Sequence, residues 1–375
     1  MHLQYLLPVA LAAVAAAQNR TLAQAIAGQS SLTTFQSLLS AQPDLVRALS
    51  NASSITILAP SNDAFSKFLS TTDGKAASAQ PDVVAAVLQY HVLNAEVPGS
   101  AFTTTPQFVP SLLTNSTYAN VTGGQVVEGV LNGKTVEIYS GLKLKSTVTT
   151  ADITFQGGVM HIIDNVLTIP PSDAVTAVDS QLTSLAGALT KANLVTAVDD
   201  LKDVTIFAPS NDAFKQIGGT AESLSTQQLT TILEYHVIKG TVGYSTLLIG
   251  GLANETLPSL SGAGLNILIE DNKVFVDSAQ VTMADIIVAN GVMHVIGNVL
   301  NPDNTSATPN PTATTQSVAF AGATSAANAP FTSGINPTTT APAAGITSKA
   351  AAARQTGAIG AAALFGGAAM IAVNL

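Results

Sequence analysis

Thr56-Ile-Leu-Ala-Pro-Ser-Asn-Asp-Ala-Phe65 returns at Thr205 to Phe214 with one change, Phe207 in place of Leu58. A repeat this close outranks any local reading, because it makes the chain two copies of one unit. The stretch reads as a strand running into a helix. β-Branched Thr56 and Ile57 favour extended backbone, and Pro60 pushes the residue before it away from helix. Ser61 is then placed to cap, Asp63 falls in the first turn where the helix dipole favours an acid, and Phe65, Phe68 and Leu69 share a face. Ser210, Asp212, Phe214 and Ile217 repeat the plan.

Two later boxes repeat in the same order. Leu88-Gln-Tyr-His-Val-Leu93 recurs as Leu233-Glu-Tyr-His-Val-Ile238, and Gly158-Val-Met-His-Ile-Ile-Asp-Asn-Val-Leu167 recurs with two changes at Gly291 to Leu300. The offsets between copies are 149 at Asp63, 145 at His91 and 133 at His161, so the first copy carries 4 extra residues between the first two boxes and 12 more before the third.

Helical period dominates the front of each copy. Leu22, Ala25, Ile26, Phe35, Leu38, Leu39, Val46 and Leu49 precede the first box; Pro81 and Asp82 open a helix through Val83, Val84, Val87, Leu88 and His91. In the second copy Ser225 and Gln228 form a capping-box pattern before Leu229, Ile232, Leu233 and His236. Behind this the period becomes two, through Val136, Ile138, Leu142 and Leu144, and through Leu265, Ile267, Ile269, Val274 and Val276. Asn132-Gly133, Gly157-Gly158 and Asn290-Gly291 have hairpin-turn chemistry. Helices in front and antiparallel strands behind predict an α+β domain, used twice, with Pro170-Pro171 as a restricted hinge.

The three ordered boxes resemble the fasciclin domain, over about Thr21 to Leu300. The resemblance implies two tandem domains, each an N-terminal helical half packed on an antiparallel β-wedge, and a non-catalytic role on secreted or surface-anchored adhesion proteins. In animal adhesion proteins of this kind an Asp-Ile pair near the third box, and the Tyr-His box, are implicated in integrin recognition. The matching positions are Asp152, Ile153, Asp285, Ile286, Tyr90, His91, Tyr235 and His236. A structural role competes: the Asp capping a turn, the Ile filling the core, and Tyr90 and His91 closing an apolar helix. That role is the one we expect.

The ends differ in character. Residues 1–17 end an apolar run in Ala15-Ala16-Ala17 and read as a signal peptide, although His2 stands where Lys or Arg is usual. Residues 18–169 and 170–301 are the two domains. Residues 302–357, rich in Thr, Ser, Ala and Pro and nearly free of charge, read as a disordered, O-glycosylated stalk. Residues 358–375 are an apolar tail behind small residues and a short polar spacer, the order of a glycolipid-anchor signal with attachment near Ser348; the competing reading is a membrane helix of marginal length. The style of this tail looks fungal.

Asn19, Asn51, Asn115, Asn120, Asn254 and Asn304 head Asn-x-Ser/Thr sequons and are expected glycan acceptors. With no cysteine the chain has no disulfide, thiolate metal site or cysteine nucleophile. The net charge of −9, or −11 once Lys349 and Arg354 leave with the tail, gives no electrostatic footprint for nucleic acid.

Apart from His2, the histidines are His91, His161, His236 and His294, two per copy. A metal or a general base is one reading. The other, which we adopt, is a packed ring bonded to backbone or hydroxyl, since two histidines with no third ligand make a poor zinc site. A Ser61, Asp63, His91 triad lacks a nucleophile elbow, and Ser61 serves better as a cap. The sequence therefore predicts a lipid-anchored extracellular glycoprotein, without cofactor or catalytic residues, acting in adhesion or in wall or matrix organisation. Its expected partner is a surface or matrix protein, a wall glycan, or a second copy. A module binding wall polysaccharide or a small apolar ligand is the alternative, and a hydrolase a distant third. Exposed aromatics would favour a glycan reader, yet there is no Trp and only 6 Tyr.

Overall fold

The computed structural model describes residues 20–336, so the expected signal peptide, Asn19, Ser348 and the apolar tail lie outside the described residues. The chain divides into two compact units, the first running to Thr168 and the second from Ile169, with Asn115–Thr122 and Gly141–Leu144 grouped with the second.

The first domain opens with helices α1 (Leu22–Ala27), α2 (Thr33–Ser40) and α3 (Pro43–Asn51). Thr21 and Gln24 form a reciprocal capping box on α1, and Pro43 sits in the first turn of α3, where its missing N–H costs nothing. Strand β1 (Ile55–Pro60) is fully buried and turns into α4 (Asn62–Ser70), whose first turn Ser61 caps by accepting the Ala64 amide at 3.2 Å. Helices α5 (Thr72–Ser78) and α6 (Pro81–Tyr90) lead to β2 (Val92–Leu93). Strands β3 (Gln107–Pro110), β4 (Val126–Asn132), β5 (Thr135–Tyr139), β6 (Lys145–Phe155) and β7 (Gly158–Ile163) complete a seven-stranded sheet of order β2-β1-β7-β6-β5-β4-β3.

The second domain repeats this with α7 (Asp173–Asp179), α8 (Thr183–Lys191), α9 (Val195–Asp199), β8 (Val204–Pro209), α10 (Asn211–Gln216), α11 (Gly218–Ser223), α12 (Thr226–Tyr235) and β9 (Val237–Lys239). After α13 (Ser245–Ile249) come β10 (Thr256–Pro258), β11 (Gly264–Glu270), β12 (Lys273–Val276), β13 (Ala279–Val288) and β14 (Gly291–Ile296), in the order β10-β11-β12-β13-β14-β8-β9. Both expected caps form here, Ser210 on the Ala213 amide and the Ser225/Gln228 box.

The α+β class holds, with a refinement inside each sheet. β1 pairs parallel to β7, and β8 parallel to β14, while every other pairing is antiparallel. The first and third boxes are thus side-by-side strands, buried on both faces and apolar except for one threonine and one histidine per pair, as parallel strands covered by helices are. Gly291 is needed for this approach rather than for a turn: a Cβ there would overlap the carbonyl of Val204. Leu142 also departs from expectation. β5 ends at Tyr139, and Leu142 sits at φ 59° in a 3₁₀ turn.

The largest departure is the stalk. Residues 302–336 form no helix or strand, yet they are laid as a strap on the second domain, so that domain continues past the expected boundary at 301. Ala319 and Phe320 are buried in its core, and the Phe331 ring meets Phe214 edge-on with centroids 6.1 Å apart. Ser184 Oγ donates to the Pro330 carbonyl at 2.8 Å, Gly219 N–H to Thr324, and Ala326 N–H to the Lys215 carbonyl, both at 3.0 Å. A segment without apolar period cannot build a core, but a few apolar residues suffice to dock on one that exists. Residues 337–357 lie outside the described residues.

Candidate functional site

The residues singled out above fall on two hydrogen-bonded networks that recur in both domains. The first closes the helix carrying the Tyr-His box. His91 is the C-cap residue of α6 and fully buried; its Nδ1–H donates back to the Val87 carbonyl at 2.7 Å, and Nε2 accepts the Leu167 amide at 2.9 Å. His236 repeats this with the Ile232 carbonyl at 2.7 Å and the Leu300 amide at 2.9 Å. Because a carbonyl only accepts, the tautomer follows from the partners. Burial is the larger influence on both rings and brings each pKa down to about 4, against a smaller raising effect of the carbonyl. The adjacent tyrosines are also buried: Tyr90 donates to the Val126 carbonyl at 2.9 Å, and Tyr235 to Asp277 Oδ2 at 2.7 Å.

The second network surrounds the Asp-Ile pair. β6 and β13 each break register before Ile153 and Ile286, and at this bulge Asp152 and Asp285 take φ 60° and 64°. Asp tolerates left-handed backbone better than most residues, which is a physical reason for its placement. The bulge aims the Asp152 amide at His161 Nδ1, 3.1 Å away, while His161 Nε2–H donates to the Val97 carbonyl at 2.8 Å. The Asp152 carboxylate then accepts the Gly99 amide at 2.8 Å. In the second domain Asp285 N–H bonds His294 Nδ1 at 3.2 Å, His294 donates to Gly243, and Asp285 Oδ1 accepts the Ser245 amide at 2.7 Å. Burial lowers the pKa of His161 and of His294.

Sequence reasoning missed the threonines that complete this network. Thr56 Oγ1 donates to the Ala95 carbonyl at 2.7 Å and accepts the Val97 amide at 2.8 Å; Thr205 does the same with Thr241 and Gly243, both at 2.7 Å. A fully buried hydroxyl in a strand otherwise apolar was the available signal, since such a group needs partners. Thr56, His161 and Asp152 thus pin one loop, residues 95–99, from three sides.

The two copies diverge at the carboxylate. Asp285 is 3% exposed, whereas Asp152 is open to solvent; Ile153 and Ile286 are both buried. Of the eight positions matched to the recognition motifs, Asp152 alone presents a functional group outward. The Ser61, Asp63, His91 arrangement does not assemble as a triad, because Ser61 caps α4 and both nitrogens of His91 are bonded to backbone. Among the described residues no cluster of three His, Cys, Asp or Glu is disposed to hold a metal, and no helix is long and apolar enough to cross a membrane.

Of the sequons in view, Asn51, Asn115 and Asn254 are exposed. Asn120 and Asn304 are half-buried, with Nδ2 donating to backbone carbonyls at 2.8 and 3.0 Å.

Two repeated β–α units, closed by buried Tyr-His networks and by Asp-Ile bulges, define a duplicated α+β module. The chain belongs to the fasciclin family: the Fasciclin domain model matches residues 30–170 and 180–302. It is similar to a fasciclin-like arabinogalactan protein of Arthroderma benhamiae, 35% identical over 352 residues, 93% of this chain and 82% of that protein. It is also similar to the transforming growth factor-beta-induced protein ig-h3 of Sus scrofa, 31% identical over 46% of this chain and 27% of that protein. Among solved structures, a FAS1 domain pair from the insect cell adhesion molecule Fasciclin I covers 72% of this chain and 97% of that chain, at 17% identity and a TM-score of 0.36.

Proposed function

We propose that the protein is a non-catalytic adhesion or wall- and matrix-organising glycoprotein, held at the outer face of the cell by a lipid anchor near Ser348. One observation carries the non-catalytic reading: in both domains the histidines, tyrosines and threonines of the repeated boxes are consumed by bonds to backbone or to a buried carboxylate, which leaves them no proton or nucleophile to offer. Membership of the fasciclin family supports it. The partner class is a surface or matrix protein, a wall glycan or a second copy, and Asp152 is the motif position we assign to contact.

The test is adhesion of cells displaying the full chain, measured beside the thermal midpoint for Asp152→Asn. Reduced adhesion at an unchanged midpoint supports contact through Asp152; unchanged adhesion removes it from the interface. Phospholipase treatment of intact cells tests the anchor, since a protein retained while an anchored control is released has no such tether.

A further inference from the structure

The strap on the second domain covers a surface whose counterpart in the first domain is open. The two helical halves superpose by function as well as by sequence: Asn62 Oδ1 accepts the Thr34 amide at 2.9 Å, and Asn211 Oδ1 accepts the Ser184 amide at 2.9 Å, so Thr34 matches Ser184. Phe65 likewise matches Phe214. In the second domain these positions hold peptide, with Ser184 bonded to the Pro330 carbonyl and Phe214 touched edge-on by Phe331. In the first domain Thr34 and Phe65 line an apolar cleft of about 120 Å³ between α2, α4, α5 and α6, walled by half-buried Leu38, Phe68, Leu69 and Val84.

From this we propose that the cleft of the first domain is a docking site for an extended, uncharged peptide that presents an aromatic side chain. The volume suits one ring, being close to the roughly 150 Å³ cavity that accepts benzene in an apolar core. No charged residue lines it, which matches an uncharged occupant. The Thr34 hydroxyl stands where Ser184 donates to a peptide carbonyl, so the cleft offers a backbone hydrogen bond at its edge as well as an apolar floor.

The occupant of this cleft does not follow the path that the strap takes on the second domain. The strap lies close on Gly187, Gly218 and Gly219, where a Cβ would overlap Phe331, Ala326 and Thr324. The matching residues of the first domain are Ser37, Leu69 and Ser70, which carry the side chains that the strap's path forbids. The first cleft therefore accepts a shorter peptide standing off Ser37, anchored by its ring rather than by its backbone.

The probe is a fluorescein-labelled heptapeptide, Ala-Thr-Ala-Pro-Phe-Thr-Ser, titrated against the full chain by anisotropy and mapped by a benzophenone replacing the Phe ring. We expect saturable binding, crosslinks to α2, α4 or α6, and at least tenfold weaker binding when the peptide's Phe is Ala. Leu38→Gln and the near-isosteric Val84→Thr should each weaken binding about tenfold, with the urea midpoint of Val84→Thr serving to show that the domain is still folded. Absence of saturable binding overturns the proposal, as does binding indifferent to the Phe or to Val84→Thr, or crosslinking confined to the second domain. Binding of decanoate in the cleft with none of the peptide also overturns it, in favour of a small apolar ligand.

Discussion

His91 accepts the Leu167 backbone amide on Nε2 at 2.9 Å, tying the end of α6 to the residue that closes the first domain. The same ring donates to Val87, so a proton added to Nε2 would break the tie and place a charge in the core. With a folded pKa of about 4 and an ordinary value of 6.5, the unfolded chain binds the proton first as pH falls. The stability of this depressed histidine is therefore full above pH 6.5 and is lost between 6.5 and 4, by on the order of 3 kcal/mol. His91→Gln should lower the unfolding free energy from urea titration at pH 7.5 by about 1 kcal/mol or somewhat more, yet flatten the fall between pH 7 and 5. An unchanged pH slope would clear His91 of that role.

The second domain also holds a group of opposite sign. Asp173, 1% exposed, accepts the Asn290 amide at 2.8 Å; burial first, then the charge of Asp199, pushes its pKa well above the usual carboxylate range, and burial raises Asp199 also. A raised carboxyl contributes stability that is complete below its unfolded value and is lost as pH rises through the folded one. Asp173→Asn keeps an oxygen for Asn290 and removes the buried charge. It should raise the stability of the second domain at pH 7 and flatten the decline that sets in as pH rises past the ordinary carboxylate value, read as hydrogen-exchange protection of the α7 amides. A lower protection at pH 7 would contradict this account.

Local chemistry was legible in the sequence because it acts over a few residues: the caps at Ser61, Ser210 and Ser225 and the proline opening α6 all form as read. The helical faces around Phe65 and Phe214 were legible too. What escaped depends on partners far along the chain. The parallel pairing of Leu58 with His161 joins residues about a hundred apart, and an apolar run alone does not state its neighbour. Asp152 and Asp285 signalled a site but not their φ, which the bulge against β7 and β14 imposes. The strap was least legible, since its ordering rests on Gly187, Gly218 and Gly219, in helices more than a hundred residues upstream of it.

Glycan occupancy should divide the sequons by whether Nδ2 is free to carry a sugar. Asn51, Asn115 and Asn254 face solvent, while the Nδ2 atoms of Asn120 and Asn304 are engaged by carbonyls. Peptide mapping of secreted protein after enzymatic deglycosylation in heavy-oxygen water is expected to label the first three and leave the last two as unmodified Asn. Full occupancy at Asn304 would mean that the glycan is added before the strap docks, or that the Ala319 contact does not form.

The strap gives the sharpest test, because one substitution should change sign with its presence. Gly187 lies inside α8, where replacing Gly by Ala ordinarily stabilises a helix by about 0.5–1 kcal/mol. Here the added Cβ would overlap the Phe331 carbonyl, and the strap would have to lift, withdrawing Phe331 from Phe214 and from the Lys191 ammonium 4.9 Å above its ring. In the full chain Gly187→Ala should therefore destabilise the second domain by about 1–3 kcal/mol, the usual cost of overpacking. In a chain ending at Asn301 the conflict is gone, and the same substitution should stabilise by about 0.5–1 kcal/mol. Urea midpoints of the four proteins form a double-mutant cycle whose coupling measures the strap contact. A stabilising effect in both backgrounds would show that Phe331 does not rest on Gly187 in solution.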